Sequence, residues 1–378
     1  MIAMDQLLLF IVLFLVCYTW AGYPGLLWIL ATIFARPPIR GRHEPTVSII
    51  VAAHNEEACI AAKLDNCLSL RYPRDSMEII VASDSSTDRT DQIVREFAAS
   101  DPRIRLLKSE VRAGKSGVQN LAAKQARGDL LFLTDANTCV PAEGLRLLAS
   151  NFADPRVGLV SATVHFVTGS DAVSKGQGLY WRYEYFLRQA ESDIGILATG
   201  SGAALVVRRE LYSPIPPRYG DDCILPLDVR LKGYLVLNDP RAVVVDSSPH
   251  SVAGELRSRI RMTARNWTGT LSRPALLNPF RFPLTALGLT SHKLLRWLTP
   301  FLLLSIFILN TASVFRHEAI ALWSGQLVFY GCAFVGWRRI CQQRPAGLCG
   351  HAFSFCLANV GFLLGMASVV RNQKIVTY

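Results

Sequence analysis

The sequence predicts a doubly wound α/β domain that lies between membrane-spanning helices. Apolar runs of strand length alternate with segments of helical spacing between residues 47 and 134. Polar side chains follow three of these runs directly. The apolar residues, which make up 51% of the 378-residue chain, are concentrated before residue 36 and after residue 283. Between these limits the composition is that of an ordinary globular domain with a core of its own.

Charge and cysteine content exclude several classes of protein. The formal net charge is +11, which favours anionic lipid head groups or phosphorylated substrates as partners of a membrane protein. The part outside the apolar segments has no Lys/Arg-rich block with interleaved aromatic residues, so we expect no nucleic-acid partner. The nine cysteines show no Cys-x-x-Cys spacing, which argues against a structural zinc site or a disulfide framework.

The first segment, residues 1–36, is predicted to be a transmembrane anchor. Leu7–Phe34 is almost uninterrupted in its apolar character and exceeds the roughly 20 residues that span a bilayer. A cleaved signal peptide is the alternative, but the residues before this run contain Asp5 and no Lys or Arg. Arg36, Arg40 and Arg42 follow the run, so the positive-inside rule places the next segment in the cytoplasm.

About three more spans are predicted within residues 298–378, at Leu298–Val314, Ile320–Trp337 and His351–Val370. Before them, residues 280–297 mix apolar residues with His292, Lys293 and Arg296, which is typical of a helix at the membrane interface. Arg371 and Lys374 leave the side of the C-terminus open. The chain is therefore predicted to be integral to the plasma (inner) membrane, with its central domain in the cytoplasm.

Residues 44–272 are predicted to form that central domain. Its strands are expected at residues 47–53, 77–83, 104–107 and 129–134, and its helices at 56–70, 87–99 and 116–127, the second helix capped by Ser86 or Thr87. The strands are continuous apolar runs, as in a parallel sheet that is covered on both faces and wound with right-handed crossovers. Ligands bind such sheets at the carboxyl ends of the strands, where Asn55, Asp84 and Asp135 fall.

A series of short motifs begins at these strand ends and continues along the central domain. In order, they are Ala53-His-Asn-Glu-Glu57, Ser83-Asp-Ser-Ser-Thr-Asp88, Gly114-Lys115 with Asn120, Thr134-Asp-Ala-Asn137, Gly200-Ser-Gly202, Arg208-Arg-Glu-Leu-Tyr212, Gly220-Asp-Asp222 and Leu231-Lys-Gly-Tyr234. Their order and spacing resemble those of the family 2 inverting glycosyltransferases, which have a GT-A fold. The resemblance covers residues 45–270, and the flanking helices resemble the membrane-bound branch that includes cellulose and poly-N-acetylglucosamine synthases.

The resemblance implies a nucleotide-sugar donor, with a UDP-sugar expected. Its binding residues would be Ala53, Asn55, Glu57, Asp84, Lys115 and Asp135. Each has a structural alternative: Asn55 and Glu57 suit the start of a helix, Asp84 suits a turn, and Lys115 could be a solvated surface lysine.

Asp135 and Asn137 stand where the family has Asp-x-Asp, and Mg²⁺ or Mn²⁺ is the implied cofactor. Such a cation takes oxygen ligands and keeps several waters, so one or two carboxylates and the donor phosphates suffice to hold it. Asn137 offers a carbonyl oxygen but no charge.

Asp221 and Asp222 are the candidate catalytic residues. At the start of a predicted helix, 223–232, an acidic pair can simply complement the helix dipole. The resemblance aligns Asp222 with the base that deprotonates the acceptor hydroxyl, whose attack opposite the leaving diphosphate inverts the sugar. Because Asp221 is adjacent, we expect the pKa of the pair to be raised, which suits a base.

Acceptor or phosphate binding is predicted for two further groups, Gly200-Ser201-Gly202 and the set Arg257, Arg261, Arg265 and Trp267. The three arginines recur every four residues and would share one helix face. A basic helix that touches anionic lipid is the alternative. Processive synthases carry Gln-x-x-Arg-Trp here, whereas this register reads Thr263, Asn266 and Trp267. Aromatic residues at 180–186, on a helix predicted over 173–191, could stack on sugars but favour packing.

These observations predict a membrane-integral inverting transferase that acts on a lipid-linked or polysaccharide acceptor in cell-envelope or exopolysaccharide synthesis. A processive synthase that extrudes its polymer is the first alternative, and the missing Gln-x-x-Arg-Trp register counts against it. A non-catalytic scaffold that binds nucleotide-sugars is the second, and the presence of both Asp135 and Asp222 counts against it.

Overall fold

The computed structural model describes residues 4–41, 43–167, 172–247, 251–314 and 320–371 of the chain. Arg42 and Lys374, which bear on the predicted membrane orientation, lie outside the described residues. The α/β prediction is confirmed, since helices cover both faces of one sheet. The sheet has seven strands, namely β1 (Val47–Ala53), β2 (Met77–Asp84), β3 (Ile104–Ser109), β4 (Leu130–Asp135), β5 (Val157–Val167), β6 (Ala204–Arg208) and β7 (Leu235–Ser247).

The strand order is β3-β2-β1-β4-β6-β5-β7, and the sheet is mixed rather than wholly parallel. The predicted strands β1 to β4 pair in parallel, whereas β6 runs antiparallel to both β4 and β5. The parallel pairing expected for the four predicted strands is therefore confirmed, and β6 adds an antiparallel strand that the sequence pattern did not predict. The chain enters β6 where β4 ends, with Ala204 opposite Thr134, so it must run back along β4.

The helices of this domain are α3 (Ile60–Leu68), α4 (Thr90–Ser100), α5 (Gly114–Gln125), α6 (Gly144–Ser150), α7 (Ala172–Asp193), α8 (Asp221–Leu231) and α9 (Val252–Leu271). The predicted cap of α4 at Ser86 or Thr87 was wrong. Asp88 instead accepts hydrogen bonds from the backbone N and Oγ1 of Thr90, at 3.0 and 2.6 Å, and the helix begins there.

The core lies on both faces of the sheet because successive side chains of a strand point to opposite sides. Ile49 and Val51 pack under α3 and α6, whereas Ile50 packs with Leu131 and Leu133 under α5 and α8. Each such buried side chain contributes about 1.5–3 kcal/mol to folding. The central strands are thereby held rigidly, and so are the loops at their carboxyl ends.

Among the residues that the structure describes, four helical segments are long and apolar enough to cross a membrane. They are Met4–Phe34, which contains α1 (Met4–Cys17) and α2 (Tyr23–Phe34); Pro283–Val314, which contains α10 (Pro283–Gly288) and α11 (Leu295–Val314); α12 (Ile320–Cys341); and α13 (Gly347–Val370). The predicted separate interfacial helix over 280–297 is instead continuous with the next span through a π-helical turn at Leu289–Leu294. Arg296 and His292 are buried against α7, and the half-buried Lys293 also contacts that helix.

Candidate active site

The carboxyl ends of β1, β2 and β4 meet at one edge of the sheet. The three strands are neighbours, with Ala53 opposite Ser83 and Ala52 opposite Asp135. This register brings the loops that carry Asn55, Asp84 and Asp135 together. The rigid strands beneath them set the positions of all three.

Asn55 and Glu57 hold the loop after β1 against the loop after β2. The Oδ1 atom of Asn55 accepts a hydrogen bond from the backbone N of Thr87 at 2.9 Å, and Glu57 Oε2 accepts one from the backbone N of Arg89 at 3.1 Å. Asn55 has φ +56°, the left-handed region that Asn tolerates better than most residues. Ala53 is buried at the end of β1. Contact of these residues with a nucleobase stays a prediction.

Asp84 is fully buried and positions the start of α5. Its two carboxylate oxygens accept hydrogen bonds from the backbone N of Ala113 at 2.6 Å and of Gly114 at 3.0 Å. Gly114 has φ +72°, a conformation that glycine adopts without strain. The turn that Asp84 fixes is the one that presents Lys115 to the site.

Lys115 links the end of β4 to the start of α8. Its Nζ lies 2.6 Å from Asp135 Oδ1 and 3.2 Å from Asp221 Oδ2. Burial alone would lower the pKa of Lys115, but the carboxylates of Asp135 and Asp221 outweigh burial and raise it. Lys115 is therefore a fixed cation within the site and not a solvated surface lysine.

Asp221 is held by several hydrogen-bond partners, whereas the half-buried Asp222 lines a cavity. Asp221 Oδ2 accepts a hydrogen bond from Gln119 Nε2 at 2.7 Å, and its Oδ1 accepts one from the backbone N of Asp222 at 3.1 Å. Burial and the adjacent Asp221 carboxylate raise the pKa of Asp222, against the effect of nearby cations. A Cβ at Gly220 would lie only 2.5 Å from Asp222 Oδ1, so this position must be glycine for the carboxylate to sit where it does.

A cavity of about 390 Å³, which we call the large cavity, opens beside these residues. Its wall includes Lys115, Asp135, Asn137, Asp222, Asp246, Arg261 and Arg265. With Arg188, which also lines it, the cavity combines oxygen ligands with four cations, as an anionic ligand that carries a metal ion requires.

The metal-ligand candidates Asp135 and Asn137 lie next to a third residue that sequence reasoning missed. Asp246, near the end of β7, accepts a hydrogen bond on Oδ1 from Asn137 Nδ2 at 3.2 Å. The edge thus offers two carboxylates and one amide to the large cavity. This set of hard oxygen donors fits a divalent cation, with the Asp246 carboxylate supplying the charge that Asn137 lacks. No sequence motif marks Asp246, because long-range pairing brings it to this edge: β7 pairs with β5, and the neighbouring Val245 exchanges backbone hydrogen bonds with Cys139.

The three arginines on the basic face of α9 do not all reach the large cavity. Arg261 and Arg265 line the large cavity, whereas Arg257 is exposed and lies outside its wall. Burial, followed by the neighbouring Arg265, lowers the pKa of Arg261. Trp267 packs edge to face on Trp297, with ring centroids 5.8 Å apart.

The Gly200–Gly202 loop lies beside Asp222 and Arg188 at Gly200 and beside Lys115 and Asp221 at Gly202. The backbone N of Gly200 donates to the Asp222 carbonyl at 2.9 Å, and its carbonyl accepts from Arg188 Nη1 at 3.1 Å. A Cβ at Gly202 would lie 3.4 Å from Lys115 Nζ and 3.3 Å from Asp221 Oδ1. The glycines therefore allow the backbone to approach the charged groups closely.

A second cavity, of about 90 Å³, lies where the α/β domain meets the apolar helices; we call it the small cavity. It shares Trp181, Arg188, Gly200 and Asp222 with the large cavity. The rest of its wall includes Tyr180, Glu184, Arg259, Lys293, Arg296, Trp297 and Phe362. Asp222 thus borders both cavities, and sequence reasoning assigned no site role to Glu184, Lys293 or Arg296.

Comparison with known proteins agrees with this geometry. The family model described as "Glycosyl transferase family 2" matches residues 48–215. The chain is 31% identical over 189 residues to a beta-monoglucosyldiacylglycerol synthase of Nostoc sp., a match that covers 48% of this chain but only 40% of that relative. It is 26% identical over 349 residues, 80% of each chain, to an N-acetylglucosaminyltransferase of Rhizobium meliloti.

A further relative is the poly-beta-1,6-N-acetyl-D-glucosamine synthase of Staphylococcus epidermidis, 25% identical over 59% of this chain and 55% of the relative. Among solved structures, the mannosyltransferase PcManGT from Pyrobaculum calidifontis, in complex with GDP-Man and Mn²⁺, superposes with a TM-score of 0.76. That likeness covers 97% of this chain and 100% of the neighbour at 23% identity. At this identity the likeness establishes the fold.

Proposed function

We propose that this chain, whose residues 48–215 match the glycosyl transferase family 2 model, is a glycosyltransferase that moves one sugar from a nucleotide-sugar to a lipid-linked or polysaccharide acceptor. The observation that carries the proposal is the position of Asp222, which borders both the large and the small cavity. A base between two binding sites suits a reaction that joins two substrates.

The large cavity is proposed to bind the donor. Lys115, Arg261 and Arg265 supply the positive charge that a diphosphate leaving group needs. Asp135, Asn137 and Asp246 would hold Mg²⁺ or Mn²⁺, which when bound would neutralise negative charge on the departing diphosphate. We expect a UDP-sugar from the resemblance of the Asp84 motif, and GDP-sugars belong in the same test because the fold neighbour binds GDP-Man.

In the proposed reaction, Asp222 takes the proton of the acceptor hydroxyl as its oxygen attacks the anomeric carbon. The bond from that carbon to the diphosphate oxygen breaks, and its electron pair leaves with the diphosphate. Attack opposite the leaving group inverts the anomeric configuration. Asp221 does not move a proton here, because Lys115 and Gln119 hold it as the carboxylate that fixes Lys115 and the start of α8.

The chain is proposed to be integral to the plasma (inner) membrane, with the α/β domain in the cytoplasm. Four helical segments have the length and composition of spans, and Arg36 and Arg40 follow the first of them. The small cavity is walled in part by Trp297 and Phe362, which belong to two of these segments. An acceptor anchored in lipid could therefore reach Asp222 from the membrane.

The test is a donor screen with the purified full-length protein in lipid nanodiscs. UDP- and GDP-sugars are supplied with Mn²⁺ or Mg²⁺ and membrane lipid extract, and the lipid-extractable product is sized. We expect one donor to be consumed in a metal-dependent reaction that adds a single sugar. A long polymer would replace this proposal with the processive synthase, and no turnover with any donor would favour the scaffold.

A further inference from the structure

The wall of the small cavity holds more cations than carboxylates. Four permanent cations line it, namely Arg188, Arg259, Lys293 and Arg296, together with two carboxylates, Glu184 and Asp222. Two more carboxylates stand behind the wall. Glu255 pairs with Arg259 at 2.6 Å, and Glu191 faces His292 at 2.8 Å.

Glu184 alone is shared by three of these cations. Its carboxylate lies 3.0 Å from Arg188, 3.4 Å from Lys293 and 2.7 Å from Arg296. Burial would raise the pKa of Glu184, but Lys293, Arg296 and His292 outweigh burial and hold it well below the ordinary value. One carboxylate is thus shared by three cations, of which Arg296 is buried and Arg188 and Lys293 are half-buried, so the cluster is suited to a second anion.

Arg296 presents an unused hydrogen-bonding edge. It is only 4% exposed, and its Nη1 donates to Glu184 Oε2 at 2.7 Å. Within the described part of the chain, its Nε and Nη2 are buried without a hydrogen-bond partner. The faces of its guanidinium are covered by the rings of Tyr180, Trp20 and Tyr183, with centroids 4.9, 5.4 and 5.6 Å away. The rings hold the group in place, while its Nε and Nη2 keep a hydrogen-bonding capacity that no described residue uses.

The same edge of another arginine in this protein binds an oxyanion with both nitrogens. Arg103 donates from Nε at 2.9 Å and from Nη2 at 2.7 Å to the two oxygens of Asp101. This fork matches the oxygen spacing of carboxylate and phosphate. A volume of about 90 Å³ also leaves room for a phosphate-sized group, since one water needs roughly 10–15 Å³.

We propose that the small cavity binds the phosphate of a membrane-lipid acceptor, held by the Nε–Nη2 edge of Arg296 and by Lys293. The inference rests on the proposed function, because it assigns the acceptor class to a cavity that shares Asp222 with the donor site. Trp297 and Phe362 lie on apolar helices and would guide the lipid chain toward the bilayer. A neutral acceptor, such as a diacylglycerol, would leave the cation cluster without its anion.

The experiment measures lipid binding by the full-length protein in a maltoside detergent, which carries no phosphate. The probes are farnesyl phosphate, farnesol, inorganic phosphate and dioleoyl phosphatidylglycerol. We expect farnesyl phosphate to bind at least about tenfold more tightly than farnesol or inorganic phosphate, the scale of a paired charged hydrogen bond. R296K keeps a positive charge beside Glu184 but removes the paired Nε and Nη2 donors, so it should weaken the binding of farnesyl phosphate about tenfold.

Two controls keep the result specific. R95K, on the exposed face of α4, should bind farnesyl phosphate like the wild type. UDP binding with Mn²⁺ should be unchanged in R296K, which shows that the fold is intact and tests the donor site separately. Equal binding of farnesol and farnesyl phosphate, or an R296K variant that binds like the wild type, would overturn the inference. So would tight binding of inorganic phosphate with the same sensitivity to R296K, whereas phosphatidylglycerol that binds with this sensitivity would support a lipid phosphate as the ligand.

Discussion

Asn137 Nδ2 donates a hydrogen bond to Asp246 Oδ1 at 3.2 Å, which joins the end of β4 to the end of β7 at the wall of the large cavity. The pairing brings a second carboxylate to a metal-ligand pattern in which Asn stands in place of Asp. Charge that is absent from the motif is thus present in the folded site.

Asp246 is therefore expected to contribute to metal binding. D246N should weaken Mn²⁺ affinity in the presence of UDP by roughly tenfold, because one carboxylate of the set is lost. N137D should restore or strengthen binding in that background. Titration calorimetry or the electron paramagnetic resonance of Mn²⁺ measures this directly, without turnover. The exposed D65N on α3 is the matched control, and equal affinities for D246N and D65N would contradict the assignment.

Lys115 is expected to hold the donor diphosphate. K115Q removes the ammonium that lies 2.6 Å from Asp135, so the KM for the donor should rise by about 10- to 100-fold. K124Q, on the exposed face of the same helix, is the control for α5. If K115Q and K124Q gave the same KM, Lys115 would be only a structural counter-ion of Asp135 and Asp221.

The activity is expected to fall at acid pH with an apparent pKa above that of an ordinary aspartate, because the pKa of Asp222 is raised. Burial and Asp221 raise the pKa of Asp222 above the ordinary value of about 3.9, and only the ionised form can accept a proton. The rate therefore falls as the pH drops through this raised pKa. D221N removes the like charge, so the acid limb of kcat/KM should move to lower pH. An acid limb that stays in place would show that Asp221 does not act on the base.

Gly220 is expected to control the position of the base. A Cβ there would lie 2.5 Å from Asp222 Oδ1, so G220A must displace the carboxylate. A shift of this kind costs about 100-fold in kcat while donor binding is kept. G331A, at a position with nothing within 4 Å, should be neutral. Wild-type kcat in G220A would contradict the role of this geometry.

Much of the fold could be predicted because several of its strands are marked by local apolar runs in the sequence. Val47–Ala53 and Leu130–Asp135 are apolar runs whose burial on both faces is visible in sequence, and polar residues at their ends mark the ligand edge. The reversal of β6 could not be predicted in this way. It depends on pairing with β4 and β5, which are distant in sequence.

The site residues likewise fall into those that a local motif predicts and those that only the tertiary structure reveals. Asp135, Asp221 and Asp222 stand in short motifs, and the structure brings all three around Lys115 or beside it. Asp246 and Arg296 have no local signal, because long-range packing alone gives them their neighbours. Arg257 shows the reverse case. It continues the sequence pattern of Arg261 and Arg265 but lies on the exposed part of the helix.

The proposed role of Asp222 as the base is tested most directly by comparing turnover with donor binding in D222N. The full-length protein in lipid is given the donor found in the screen, its metal and its acceptor. We predict that D222N binds the donor like the wild type but transfers sugar more slowly by a factor on the order of 10² to 10⁴, the usual contribution of a general base. Wild-type transfer by D222N would contradict the claim that Asp222 activates the acceptor.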